Sequence, residues 1–151
     1  MKDIILSTAV LLMLCTSCIS NSKNAFASNE ISKNQMTSKV KSVEVSEKTR
    51  GLQKIYTFKD SGLQKKINTD VTQNNLTATT WNMLNEEISK INLEKISTYE
   101  SPTTQRYSDG ALASQIKITV DNKEYISAEF DSGKPPKELA PLYNSLMNAA
   151  R

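Results

Sequence analysis

Between Ala113 and Phe130 the chain reads ASQIKITVDNKEYISAEF, and its alternation limits the fold more than any other feature of the sequence. Successive side chains of an extended chain point to opposite faces, so Ile116, Ile118 and Val120 share one side and Gln115, Lys117 and Thr119 the other. The turn falls at Asp121-Asn122 or Asn122-Lys123, since Asn tolerates the left-handed backbone such turns need. With the turn at Asn122-Lys123, Val120 stands opposite Tyr125, and Ile126, Ala128 and Phe130 occupy the other face. Apolar residues on both faces predict a central strand, or one covered by helices.

The same period appears earlier. Val43 and Val45 alternate with polar residues in VKSVEVSE. Ile55, Tyr56 and Phe58 mark a further strand. Leu63, Lys65, Ile67, Thr69 and Val71 mark one face of its partner, with Asp60-Ser61-Gly62 as the turn between them. In TTWNMLNEEISKINLEKI the period lengthens to that of a helix. Trp81, Leu84, Ile88 and Ile91 fall on one face, Thr79 or Thr80 is the expected N-cap, and Glu86 with Lys90 is an i,i+4 pair. A second amphipathic stripe, Leu139, Leu142, Leu146 and Ala150, closes the chain. Pro141 favours a helix start at Glu138 rather than Pro136. Strands, helix, two strands, helix predict an α+β domain: an antiparallel sheet of four to five strands with two helices packed on one face.

The opening residues lie outside this pattern. Ile4 to Leu14 is uncharged and follows Lys2. As a helix it would rise only ~16 Å against a ~30 Å hydrocarbon layer, so it reads as the apolar core of a signal peptide. LCTSC follows. A zinc site needs four ligands, and the chain has no histidine and no cysteine besides Cys15 and Cys18. A redox pair needs a helix N-terminus after a strand, which is missing. Small Thr16 and Ser17 before Cys18 resemble a bacterial lipobox, although Cys15 stands where Leu is usual. Cys18 is then the acylated first residue, carrying palmitate-type chains. Cleavage after Ala27, at an Ala25-x-Ala27 site, is the secretory alternative. The expected division is a signal peptide over 1–17, a Ser/Asn/Lys-rich tether over 18–39 and a single domain over 40–151.

After either cut no free thiol and no histidine remain, which excludes Ser-His-Asp and Cys-His catalysis and an imidazole base. Up to Asn75 basic residues outnumber acidic ones; from Leu76 onward acidic residues are slightly in the majority. A basic half near a membrane suits anionic headgroups. The dispersed lysines, without interleaved aromatics, argue against nucleic acid.

Five stretches invite a reading as sites. The loop ESPTTQRYSDGA gathers Arg106, Tyr107, Asp109 and Gly110 as a candidate binding surface, the bland reading being an Asp-Gly turn with an Arg-Asp pair. FDSGKPPKE places Gly133 and Lys134 before a helix, as an anion pocket would, or simply turns the chain. Ser38 to Lys41 matches S-x-x-K by chance, without its supporting motifs. The sequon Asn75-Leu76-Thr77 is idle in a bacterial protein. Glu86-Glu87 point about 100° apart on a helix and do not converge. No metal or cofactor is expected.

From Trp81 onward, WNMLNEEISKINLEKI, SPTTQRYSDGA and ITVDNKEYISAEFDSGKPPKEL resemble a family of small exported (lipo)proteins of Bacteroidetes-type bacteria. The resemblance rests on a Trp-led helix, a Pro-Thr…Asp-Gly-Ala loop, a hairpin and a Phe-Asp-x-Gly-x-Pro-Pro turn. It implies export and this fold, and no catalytic residue. The expected function is a lipid-anchored, non-catalytic binding or accessory module of the cell envelope. It would meet the membrane through its anchor and an envelope protein through a sheet edge or the Arg106–Gly110 loop. The alternatives are an inhibitor of an envelope hydrolase or toxin, and an enzyme using Asp109, Asp131 and Glu129 as acid, base or metal ligands.

Overall fold

Four tight turns of two residues lay out the sheet. In the computed structural model, which describes residues 39–151, β1 (Val40–Thr49), β2 (Leu52–Lys59), β3 (Gly62–Ile67) and β4 (Asp70–Asn74) form an antiparallel meander. Gly51 at φ 75° and Asn68 at φ 52° provide the left-handed residues of its first and third turns. Asn68 locks its turn onto β2: its Oδ1 accepts the Gln53 amide at 2.9 Å, and its own amide donates to Gln53 O at 2.8 Å. The segment expected as one strand from Leu63 to Val71 is therefore folded back into two. Asn tolerates positive φ, so the reversal needs no glycine. The signal segment, Cys15, Cys18, Ala27, Ser38 and the tether up to residue 38 lie outside the described residues.

The chain then crosses through α1 (Ala78–Ser89) and two 3₁₀ turns, Leu93–Thr98 and Gln105–Ser108, to β5 (Ala113–Val120), which pairs with the free side of β1. β6 (Lys123–Ile126) and the short β7 (Phe130–Asp131) both pair with β5, and α2 (Ala140–Ala149) follows. The fold is α+β. Its antiparallel sheet has six strands in the order β4-β3-β2-β1-β5-β6, with β7 as a seventh beside β5, more than the four to five expected.

Val120 pairs with Lys123, so the turn is Asp121-Asn122, with Asp121 at φ 52°. Tyr125 consequently faces Ile118 rather than Val120. The expected strand through Phe130 is interrupted at Ser127. Its amide donates to Ile116 O at 2.9 Å, while its buried Oγ replaces a carbonyl, accepting the Ile116 amide at 3.0 Å. β6 is thus an edge strand rather than a central one, and Ile126 stays 41% exposed.

One face of the sheet is buried. Val43 and Val45 on β1, Phe58 on β2, Leu63 on β3, and Ile116 and Ile118 on β5 form one cluster with Trp81, Leu84 and Ile88 of α1 and Leu142 and Leu146 of α2. The helix stripes follow the sequence pattern closely, with Leu139 and Ala150 also buried. α2 begins at Ala140, two residues after the expected Glu138, and two further local details differ. The N-cap of α1 is Thr77, whose Oγ1 accepts the Thr80 amide at 3.1 Å, because Trp81 already donates to Thr77 O at 3.0 Å. Lys90 pairs with Glu87 at 2.9 Å instead of Glu86, being three residues from it on the surface. Pro141 lies in the first turn of α2, where its missing amide hydrogen costs nothing. No helix among the described residues is long and apolar enough to cross a membrane.

Candidate functional site

The loop from Ser101 to Gly110 is built around a carboxylate from elsewhere in the chain. Asp131, on β7, has no exposed surface. Its Oδ2 accepts the Gln105 amide at 2.7 Å, and its Oδ1 accepts the Arg106 amide at 2.9 Å and Arg106 Nη1 at 3.1 Å. The carboxylate thus caps the first amides of the 3₁₀ turn and neutralises its arginine. Burial alone would raise the Asp131 pKa, but the Arg106 and Gln105 donors outweigh it and hold the carboxyl well below the ordinary range. The Thr103 hydroxyl also favours the anion by proximity, yet its Oγ1 is buried without a hydrogen-bond partner, so the N–H donors carry the effect.

Arg106 spends most of its donors inside the loop. Nη1 also reaches Thr103 O at 2.7 Å and Ser101 Oγ at 3.2 Å, and Nη2 reaches the Tyr107 hydroxyl at 2.9 Å. Its side chain is 8% exposed, and burial opposes its charge; Asp131 and Tyr107 overcome that and raise its pKa. The guanidinium lies 4.3 Å from the Tyr107 ring centre, and Tyr107 itself is 77% exposed. Asp109, at φ 56°, closes the 3₁₀ turn and pairs with Arg50 at 3.7 Å across exposed surface. Gly110 follows without positive φ. Of the four expected residues, Tyr107 and Asp109 face solvent, Arg106 is bound inward, and the arginine's partner is Asp131 rather than Asp109.

Asp131 and Glu129 take different partners. Glu129 pairs with Lys48 at 2.7 Å, and Asp109 with Arg50. Among the described residues, no three His, Cys, Asp or Glu side chains are grouped to hold a metal ion. The turn at Gly133 also serves the interior: its amide, next to a φ of 78°, donates to the Tyr143 hydroxyl at 3.0 Å.

A second buried carboxylate was not singled out from sequence. Glu47 continues the buried row of Val43 and Val45 on β1 and is 3% exposed. Its Oε1 accepts Ser132 Oγ at 2.6 Å, Tyr143 OH at 3.0 Å and Ser114 Oγ at 3.3 Å. Burial, with hydrogen bonds from Ser132 and Gly133 working against it and the Glu47 charge adding to it, raises the Tyr143 pKa; burial and the same charge raise that of Tyr56. The signal was present: two-residue alternation through Val43 and Val45 puts Glu47 on the core face. Both carboxylates accept hydrogen bonds from within the protein, Asp131 through both oxygens and Glu47 through Oε1.

The sheet edge at β4 is different. Its five residues are all exposed, and no further strand pairs with it among the described residues. Because Ile67 and Asp70 flank a two-residue turn, Asp70, Thr72 and Asn74 direct their backbone groups toward β3, and Val71 and Gln73 direct theirs outward. Beside this edge, Gln73, Gln64 and Thr57 form a cross-strand row on the face opposite the core. The row borders a cleft of about 220 Å³ that also includes Lys59 and Ser61. No family model, no curated protein and no solved structure matches the chain.

Proposed function

We propose that the chain is an exported bacterial envelope protein, lipid-anchored through Cys18, that acts as a non-catalytic binding or accessory module by accepting an extended segment along β4. The observation that carries this reading is the open backbone of Val71 and Gln73 on a fully exposed edge strand. Natural sheets commonly guard such an edge with lysine, proline or a bulge; β4 has none of these. In this reading both helices cover the buried face of the sheet, which leaves the edge and the opposite face to the partner. The single hydrophobic cluster shared by sheet and helices supports that arrangement.

Crosslinking in intact cells followed by affinity capture tests the binding surface. Val71→Pro removes an outward amide without touching the bonds to β3, a position where edge strands accept proline. Loss of the captured partner is expected, and unchanged capture rejects the β4 surface. Mass spectrometry of the mature N-terminus tests the anchor: an acylated Cys18 is expected, an unmodified start at Ser28 rejects it, and Cys18→Ala should leave the membrane fraction.

The loop provides a second contact surface in this reading. Tyr107 is an exposed aromatic held against a fixed guanidinium, a combination common at the centres of protein interfaces. Tyr107→Ala or Asp109→Ala should then weaken capture while leaving the fold intact.

A further inference from the structure

The two edges of the sheet match each other. At β6, Val120 and Lys123 flank a two-residue turn, so Val120–Lys123 and Ile118–Tyr125 exchange backbone hydrogen bonds, and Glu124 and Ile126 direct theirs away from β5. At β4 the outward residues are Val71 and Gln73. All four side chains lie on the sheet face opposite the core: Glu124 and Ile126 beside Thr119 and Lys117, Val71 and Gln73 beside Lys66 and Gln64. The path from β4 to β6 contains six strands, each antiparallel to its neighbour. β4 and β6 therefore run in opposite directions, and a second copy placed beside the first in the same orientation presents its β4 antiparallel to β6.

We infer that the segment received by β4 is β6 of a second copy of this chain, giving head-to-tail association that extends the sheet; this rests on the reading of β4 as a strand-accepting edge. In one register Ile126 faces Val71 of the next copy while Glu124 faces its Gln73. Each pair exchanges two main-chain hydrogen bonds, and the core faces of both copies stay on the same side. The side chains agree with this register. Ile126 at 41% and Val71 at 52% exposure are two of the five large apolar residues left open among the described residues, and pairing covers both. Glu124, which pairs with Lys117 at 3.8 Å in its own copy, arrives beside the cleft that holds Lys59. The basic β2–β4 side of one copy thus receives an acidic residue of the next.

An open repeat of this kind grows by translation and twist and does not close. Four hydrogen bonds and one apolar pair make a contact well below the ~1,200 Å² of stable complexes. Association is accordingly weak between free copies and is favoured where a common membrane concentrates them.

The test uses the full chain in density-matched detergent, followed by sedimentation equilibrium. Wild type should form a concentration-dependent series that continues beyond the dimer. Val71→Pro and Ile126→Pro should each weaken association about tenfold or more. An equimolar mixture of the two should give dimers and nothing larger, because each copy keeps the edge the other lacks. Val71→Lys and Ile126→Lys repeat the comparison without proline, with circular dichroism to check the fold. A wild type that stays monomeric, or variants that associate unchanged, overturn the inference. Loss with Val71→Pro but not with Ile126→Pro means β4 pairs with β4, which also overturns it while leaving the β4 edge in use. If wild type is monomeric and Val71→Pro still abolishes capture from cells, this inference fails and the binding reading stands; if wild type is monomeric and capture is unchanged, both fail.

Discussion

The Asp131 carboxylate accepts both the backbone amide and the guanidinium of Arg106, a residue 25 positions earlier in the chain. Through this contact the two most distinctive turns of the sequence, SPTTQRYSDGA and FDSGKPP, become one structural unit. A polar loop that reads as a free binding surface is thereby anchored at its base, with Tyr107 as its exposed tip.

Asp131→Asn should leave the Arg106 guanidinium buried without its counter-charge and should destabilise the protein strongly, because breaking a buried pair costs more than never having built it. The pH dependence has a definite sign. The folded carboxyl titrates below its unfolded value, so its contribution is fully present above the unfolded pKa of about 4 and is lost as pH falls further toward the folded value. Urea midpoints measured from neutral pH to strong acid should fall more steeply for wild type than for Asp131→Asn. Parallel curves would reject the assignment.

Tyr143→Phe removes one of three hydroxyls from Glu47 and the acceptor of the Gly133 amide, and should cost about 1–3 kcal/mol in chemical denaturation. The phenols of Tyr143 and Tyr56 both ionise above the ordinary range. Their stabilisation is present below the unfolded pKa of about 10 and is lost as pH rises through the folded values. Tyr143→Phe should therefore lose less stability in alkali than wild type, read by ultraviolet phenolate absorbance alongside unfolding.

Gly62→Ala probes the base of the β3–β4 edge. Gly62 has φ 143°, and an added Cβ would lie 2.9 Å from the Asn74 carbonyl oxygen. A cost of about 1–3 kcal/mol is expected from the backbone conformation alone. The same substitution at Gly51 meets no atom within 4 Å and should cost less. Equal losses at the two positions would show that close approach to Asn74 does not constrain the edge.

Thr77→Ala should destabilise by about 1 kcal/mol through loss of the α1 cap, while Thr79→Ala should change stability by less than about 0.5 kcal/mol. Thermal unfolding of the two variants side by side distinguishes the capping residue from its neighbour.

Periodicity alone determined the inward rows of β1 and β5 and the stripes of α1 and α2. The spacing that puts Val43 with Val45, Ile116 with Ile118, or Leu84 with Ile88 on one face is a property of the local backbone. The turn at Asn68 was hidden because an Asn in left-handed conformation leaves no glycine to mark it, and its bonds to Gln53 are made across the hairpin. The break at Ser127 was hidden for a related reason: a side-chain oxygen stands where a backbone carbonyl is expected. Tertiary structure alone decided the environment of the charges. Glu47 is satisfied by Ser114 and Tyr143, 67 and 96 residues away, and Asp131 by an arginine in another loop. A carboxylate's character depends on which donors reach it once water is removed, and those donors are assembled only when the sheet, loops and α2 close around it.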